Sequence, residues 1–169
     1  MLLPWQKYLA FVLSFINIAG FWRIHHDFFI YIKKMDEKMM ALNTGWLFFI
    51  VTLPFSTGLL STHFGDAHAV FLYSCNVFFL SVFQNFIWGY AGNQEGFTDK
   101  DKLSMNEHLE GRIRLMLNLD MLNGLIALVM SFFLPKTAFF LLFFKVPLFI
   151  FATIFIAAQR RNNIIASQN

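Results

Sequence analysis

Charged side chains are scarce in this chain. Asp, Glu, Lys and Arg make up 14% of its 169 residues, whereas about 25% is usual for a soluble domain. The single cysteine, Cys75, cannot form an internal disulfide. The sequence shows no histidine-rich cluster and no nucleophile motif. A soluble domain of ordinary composition and a disulfide-stabilised secreted fold are therefore excluded, and an enzyme is disfavoured.

Apolar residues are abundant instead. They form 57% of the chain, with 24 Phe and a mean hydropathy of +0.57. Apolar runs such as residues 139–144 do not alternate with polar residues, as the strands of a transmembrane barrel would. Backbone groups in lipid must be bonded within their own segment, which favours helices. The composition predicts an all-α, polytopic membrane bundle whose main partner is lipid.

Five apolar segments are long enough to span a bilayer. Each is close to the roughly 20 residues that a helix needs to cross about 30 Å of hydrocarbon. No repeat or low-complexity tail divides the chain, so we expect one integral-membrane domain over residues 1–169. The predicted spans are approximately residues 5–24, 41–61, 68–91, 115–134 and 137–158.

The distribution of basic residues predicts the orientation. Nine Lys or Arg residues fall in the first and third connections and the C-terminal tail, against two, Lys7 and Lys136, on the opposite side. Cytoplasmic loops carry the excess of basic residues, so we expect the N-terminus outside and the C-terminus in the cytoplasm. The basic residues are spread among loops, and no nucleic-acid partner is predicted. The nine are Lys33, Lys34, Lys38, Lys100, Lys102, Arg112, Arg114, Arg160 and Arg161.

The first span ends in a polar cluster that includes His25, His26 and Asp27. Adjacent helical residues point about 100° apart, so the two histidines cannot chelate one ion from the same face. The chain has only five histidines, and His63, His68 and His108 lie in other segments. We therefore expect packing or interfacial histidines, with no metal, cofactor or catalytic residue.

The fourth span contains an acidic residue, Asp120, with Asn118 and Asn123 beside it. Asp120, Asn123 and Gly124 recur at the three- and four-residue spacing of one helix face, which suits close contact with another helix. Two interpretations follow. One is an ion or proton pathway; the favoured one is a hydrogen-bonded packing seam, with Asp120 about 8 Å from the cytoplasmic end of its span. We call Asn118, Asp120 and Asn123 the predicted polar seam.

Two further features interrupt apolar spans. Pro54 removes the donor for the Ile50 carbonyl and predicts a bend in the second helix, where Ser56 and Thr57 can satisfy freed backbone groups. Lys145 lies inside the last span, too far from Asp120 for an ion pair. It indicates either a kink or a water-accessible pocket.

The first two spans carry a pattern that resembles a known family. The pattern is similar to that of the transmembrane protein 175 family of potassium channels and covers about residues 8–58. Its elements are Tyr8, Ser14-Phe15, Trp22-x-x-His25-His26, Phe29, Asp36, Asn43 and Leu53-Pro54-Phe55.

The resemblance implies a six-helix subunit that assembles as a tetramer, with a cytoplasmic N-terminus. It also implies a first, pore-lining helix with an arginine and a Phe-Ser-Asp motif, which this sequence does not contain. That plan without its first helix has five helices and an outside N-terminus, in agreement with the count of basic residues. A misassigned start, a truncation and a divergent lineage all remain open.

The expected function is therefore passive potassium permeation in a homo-oligomer, in a bacterial plasma membrane, when a pore helix is supplied. The alternative is a non-conducting structural or assembly subunit. By the resemblance, Trp22, His25 and Asn43 match positions of a polar packing network that holds the pore helix. No residue is assigned to an ion filter.

Overall fold

The computed structural model describes residues 4–63, 65–99 and 109–142, and in these ranges the chain is helical. The helices are α1 (Pro4–Phe29), α2 (Glu37–Thr62), α3 (Ala67–Asn93) and α4 (Leu109–Phe133). A fifth helix begins at residue 135 and is described as far as residue 142. Within the same ranges the only extended pairing is one isolated antiparallel bridge, Ile32 with Thr98. The predicted all-α fold is confirmed.

Aspartate caps determine where two helices begin. The Asp36 carboxylate accepts a hydrogen bond from the Met39 backbone N–H at 2.8 Å, so α2 starts four residues before the predicted span. The Asp66 carboxylate accepts from His68 N–H at 2.8 Å and starts α3 in the same way. Such caps satisfy backbone donors that the first helical turn leaves without partners.

Three of the described helical segments are long and apolar enough to cross a membrane: Glu37–Thr62, Ala67–Asn93 and Ile113–Phe133. Large apolar side chains cover their outer faces, with Phe55 75% and Phe133 78% exposed. Such a surface suits hydrocarbon, where exposed aromatic and aliphatic groups carry no hydration cost.

Helix α3 is the central helix of the described bundle. Half of the residues in the most apolar stretch of α3 are buried, whereas the corresponding share is 22% for α2 and for the spanning part of α4. It packs against α2 on one side and α4 on the other, while α1 packs against α2. Trp46, Leu53, Leu80 and Ile87 are among the buried core side chains of the bundle. The buried polar side chains of α3 therefore have only other groups of the protein available as hydrogen-bond partners.

The connections at one end of the bundle bind each other. Lys33 N–H donates to the Phe97 carbonyl at 2.7 Å, and Asp99 N–H donates to the Tyr31 carbonyl at 2.8 Å. The Lys33 ammonium lies 3.1 Å from the Asp99 carboxylate. The first and third connections thus share one end, as the antiparallel course of successive helices requires.

The opposite end joins the second and fourth connections. A Cβ at Gly65 would lie 3.3 Å from Cε of Lys136. The structure does not identify which end faces the cytoplasm, so the predicted orientation and the single domain stay predictions. The last predicted span beyond residue 142, and with it Lys145, lies outside the described residues.

Candidate functional site

The predicted packing network lies where the end of α1 meets the start of α2. Nε2 of His25 is 2.8 Å from Oδ1 of Asn43, so an imidazole Nε2–H donates to the amide oxygen. His25 is 8% exposed. A buried polar side chain needs such a partner, because an unbonded polar group in an apolar environment costs several kcal/mol.

Aromatic rings enclose the His25 imidazole. It stacks against Phe29 and Trp46, each with ring centroids 4.2 Å away, and against Trp22 at 5.8 Å. Trp22 itself is 58% exposed. The structure therefore brings Trp22, His25 and Asn43 together, although their role in holding a pore helix stays a prediction.

The neighbouring His26 does not share this environment. Its side chain is exposed, as the 100° rotation between adjacent helical residues requires. Within the described residues, no group of three or more His, Cys, Asp or Glu side chains could hold a metal ion. The arrangement around His25 can fix the packing of α1 on α2.

The α3–α4 contact contains part of the predicted polar seam. The Ser81 hydroxyl donates to Oδ2 of Asp120 at 2.5 Å. One turn further along α3, Nδ2 of Asn85 donates to the Leu117 carbonyl at 2.9 Å. Both bonds cross between the helices, so they hold α3 and α4 in one register.

Small residues of α4 bring the two helices close together beside this contact. Gly124 is buried, and a Cβ there would lie 3.0 Å from the Phe78 backbone Cα. Ala127, one turn on, is fully buried. Such residues let helix backbones approach in a membrane.

The other members of the predicted seam occupy different environments. Asn118 is exposed and is not brought to Ser81. Asn123 is half-buried, and within the described chain its Nδ2 has no hydrogen-bond partner. The part of α4 long and apolar enough to span a membrane begins at Ile113, so Asp120 lies roughly 10 Å from that end, against about 8 Å from the end of the predicted span.

The start of α2 is fastened to the end of α3. The Tyr90 hydroxyl donates to Oδ2 of Asp36 at 2.5 Å, and the Lys38 ammonium lies 5.0 Å from the Tyr90 ring centroid. The Tyr90 hydrogen bond, followed by the Met39 N–H bond, lowers the pKa of Asp36 below its usual value. This cap therefore also serves as an interhelical contact.

Polar residues of α3 were the functional contacts that sequence reasoning missed. Tyr73 accepts from Asn17 of α1 at 3.1 Å, Ser81 and Asn85 bind α4, and the Asn76 amide lies against α2. The signal available in the sequence was the set of polar side chains inside an otherwise apolar span. These polar residues indicate a helix that other helices surround, but they do not show which residues are their partners.

Comparison with known proteins finds similarity to one family of channels. The sequence model of the family described as endosomal/lysosomal potassium channel TMEM175 matches residues 1–54. A potassium channel of Streptomyces collinus is 32% identical over 65 residues, which are 38% of this chain and 32% of that protein. The endosomal/lysosomal proton channel TMEM175 of Gallus gallus is 38% identical over 86 residues, which are 48% of this chain and 17% of that protein. The matched part thus spans a third or less of the length of these relatives.

A solved structure shares the fold. The crystal structure of a lysosomal potassium-selective channel TMEM175 homolog from Chamaesiphon minutus matches with a TM-score of 0.73. The match covers 88% of this chain and 74% of that chain, at 22% identity. The predicted resemblance to the TMEM175 family is therefore confirmed over the first part of the chain, and the fold is similar to that of a solved TMEM175 homolog.

Proposed function

We propose that this chain is a channel subunit through which potassium ions cross a membrane passively, once a pore-lining helix is supplied. The observation that carries the proposal is the match of residues 1–54 to the family described as a potassium channel. The potassium-channel names of the bacterial relatives support the choice of ion.

The described helices offer a surface for the additional helix. Tyr8, Phe15 and Trp22 recur every seven residues on α1 and are 72%, 64% and 58% exposed. Residues spaced by seven form a stripe along one helix face. We propose that this stripe contacts the pore-lining helix. The His25–Asn43 hydrogen bond, between α1 and α2, holds α1 in place.

We also propose the assembly, the membrane and the orientation of the chain from the same resemblance. The chain acts as one membrane domain in a homo-oligomer, a tetramer, in a bacterial plasma membrane. Its N-terminus lies outside and its C-terminus in the cytoplasm. The clustering of the first and third connections at one end supports this orientation, because most basic residues of the connections belong to these two.

Proton permeation is a second candidate. The relatives from Gallus gallus, Bos taurus and Danio rerio are named proton channels, whereas the bacterial relatives are named potassium channels. A non-conducting assembly subunit is the remaining alternative. Each of the three makes a different prediction for ion flux.

Reconstitution into liposomes tests the proposal. The purified chain is compared with a fusion that carries, ahead of Met1, a helix with the arginine and Phe-Ser-Asp motif. We expect potassium flux from the fusion and flux equal to protein-free liposomes from the chain alone. A matched fusion with a scrambled first helix controls for leakage.

Other outcomes separate the alternatives. Proton flux without potassium flux from the fusion would favour the second candidate, and no flux of either ion would favour the assembly subunit. Selective potassium flux from the unfused chain that Asp120→Ala abolishes would contradict the proposal and place the pore at α4.

A further inference from the structure

Helix α2 contains an interruption in its backbone hydrogen bonds near its middle. Pro54 has no N–H, so the Ile50 carbonyl lacks the donor that a regular helix would provide. In the turn just before Pro54, a side chain from α3 binds the backbone of α2. Nδ2 of Asn76 donates to the Phe49 carbonyl at 3.1 Å, and its Oδ1 accepts from the Leu53 N–H at 3.1 Å.

The Asn76 amide is bound entirely by α2. Its Nδ2 also donates to the Thr52 hydroxyl at 3.2 Å, and its Oδ1 also accepts from the Ser56 hydroxyl at 3.1 Å. Asn76 is 6% exposed. The amide thus bridges the carbonyl and N–H that pair with each other in a regular helix, since they are four residues apart.

Hydroxyl groups bind the backbone on both sides of the amide. The Thr52 hydroxyl donates to the Phe49 carbonyl at 3.1 Å. The hydroxyl of Thr57 donates to the Leu53 carbonyl at 2.8 Å. Side chains therefore bind backbone groups over more than one turn around Pro54.

We infer that Asn76 is a positioning residue that sets the bend of α2 at residues 49–53. Proline and an inserted side chain are both established causes of helix bending, and here they act in adjacent turns. By this inference α2 consists of two arms, residues 37–49 and residues 54–62, joined at the bend.

The first arm carries the residues that hold α1. Asn43 binds His25 by a hydrogen bond, and Trp46 stacks against the same ring. The start of this arm is fixed to α3 by the Asp36–Tyr90 bond. The angle that Asn76 sets in α2 therefore determines where α1 lies relative to α3, although the hydrogen bonds of Asn76 are made to α2 and not to α1.

Spin-label distances along α2 test the inference. Labels at Met40→Cys and Thr62→Cys, both at exposed positions, are introduced with Cys75→Ala to remove the native thiol. The sites are 22 residues apart, about 33 Å along a straight helix. We expect a narrow distance distribution below that value in the otherwise native chain. With Asn76→Leu we expect a shift toward the straight-helix distance and about twofold broadening.

Two variants make the test specific. Asn85→Leu also removes an amide bond between helices, to the Leu117 carbonyl, and should leave the distribution unchanged. Pro54→Ala combined with Asn76→Leu should narrow the distribution at the straight-helix distance, because an alanine in place of the proline supplies the missing N–H.

A third variant covers the case in which Asn76→Leu fails to fold. Asn76→Asp keeps an acceptor for the Leu53 N–H but cannot, when ionised, donate to the Phe49 carbonyl. It should give an intermediate broadening. A distribution unchanged by either Asn76 substitution, or changed equally by Asn85→Leu, would overturn the inference.

Discussion

Nε2 of His25 and Oδ1 of Asn43 lie 2.8 Å apart, and this bond joins α1 to α2 across 18 residues of chain. The imidazole also lies between the rings of Phe29 and Trp46. Hydrogen bonding and ring packing can therefore be separated by substitution.

We expect His25→Phe to lower the free energy of unfolding in detergent by about 1 kcal/mol, the scale of an interhelical hydrogen bond in membranes. His25→Ala should cost more, because the ring contacts are lost too. Thermal unfolding measures both. His26→Ala, at an exposed position, is the control and should change stability by less than about 0.5 kcal/mol. Equal effects at the two histidines would contradict the assignment.

Gly124→Ala should destabilise the α3–α4 contact. The added methyl group would lie 3.0 Å from the Phe78 Cα, and a backbone atom cannot move aside as a side chain can. We expect a loss of about 1–3 kcal/mol in the free energy of unfolding, the usual cost of overpacking. Gly89→Ala, where the new methyl would meet no atom of a neighbouring helix within 4 Å, is the matched control. A similar loss at Gly89 would argue against close helix contact as the cause.

Replacing Gln84 by Met should stabilise the protein. Gln84 is fully buried, and within the described chain neither of its amide atoms has a hydrogen-bond partner. An apolar side chain of similar length removes that desolvation cost, worth about 1–3 kcal/mol for an unpaired polar group. Asn85→Leu should have the opposite effect, because Asn85 binds the Leu117 carbonyl. A lower unfolding temperature for Gln84→Met would indicate that the amide is bonded.

Stability should fall in acid partly through Asp36. Its folded-state pKa is lowered, first by the Tyr90 hydroxyl and then by the Met39 N–H. A carboxyl group with a lowered folded pKa stabilises the fold above its unfolded pKa of about 3.9, and the contribution is lost as pH falls through the folded pKa. Asp36→Asn should therefore weaken the dependence of the unfolding temperature on pH below about 4. Tyr90→Phe should weaken it less, and should add nothing in the Asp36→Asn background.

The orientation can be tested by tagging single cysteines in a Cys75→Ser background. Gly65 and Gly96 are unsuitable positions, because their φ angles of 84° and 75° disfavour any side chain. His68 and Glu95 are exposed and lie next to the same connections. We expect His68→Cys to react from outside the cell and Glu95→Cys only from the cytoplasm. The reverse result would invert the predicted topology.

The helices were predictable because membrane hydrocarbon imposes long apolar segments that appear directly in the sequence. The exact start of α2 could not be predicted, because Asp36 lies in a charged stretch that is also typical of a turn. Only the hydrogen bond to Met39 N–H shows that this residue is a cap.

The partners of α3 could not be predicted for a different reason. A helix buried on most sides has no apolar stripe that tells which face meets which neighbour. Asn76 binds backbone atoms of α2, and backbone groups are present at every position of a sequence. Trp22, His25 and Asn43 could be predicted because the family pattern supplied them, whereas only the structure shows that Ser81 is the partner of Asp120.

The bridge between the first and third connections also orders events in time. Lys33 binds the Phe97 carbonyl, and Asp36, which caps α2, binds Tyr90. At a synthesis rate of about 5–20 residues per second, the later residues emerge roughly 3–13 s after the earlier ones. During that interval α1 and α2 must remain in the membrane as a pair, and the connection between them lacks its contacts with the third connection. A ribosome-bound chain from which residue 90 has not yet emerged should therefore expose the Lys33 region to proteolysis, and a chain long enough for residue 99 to have left the ribosome should protect it.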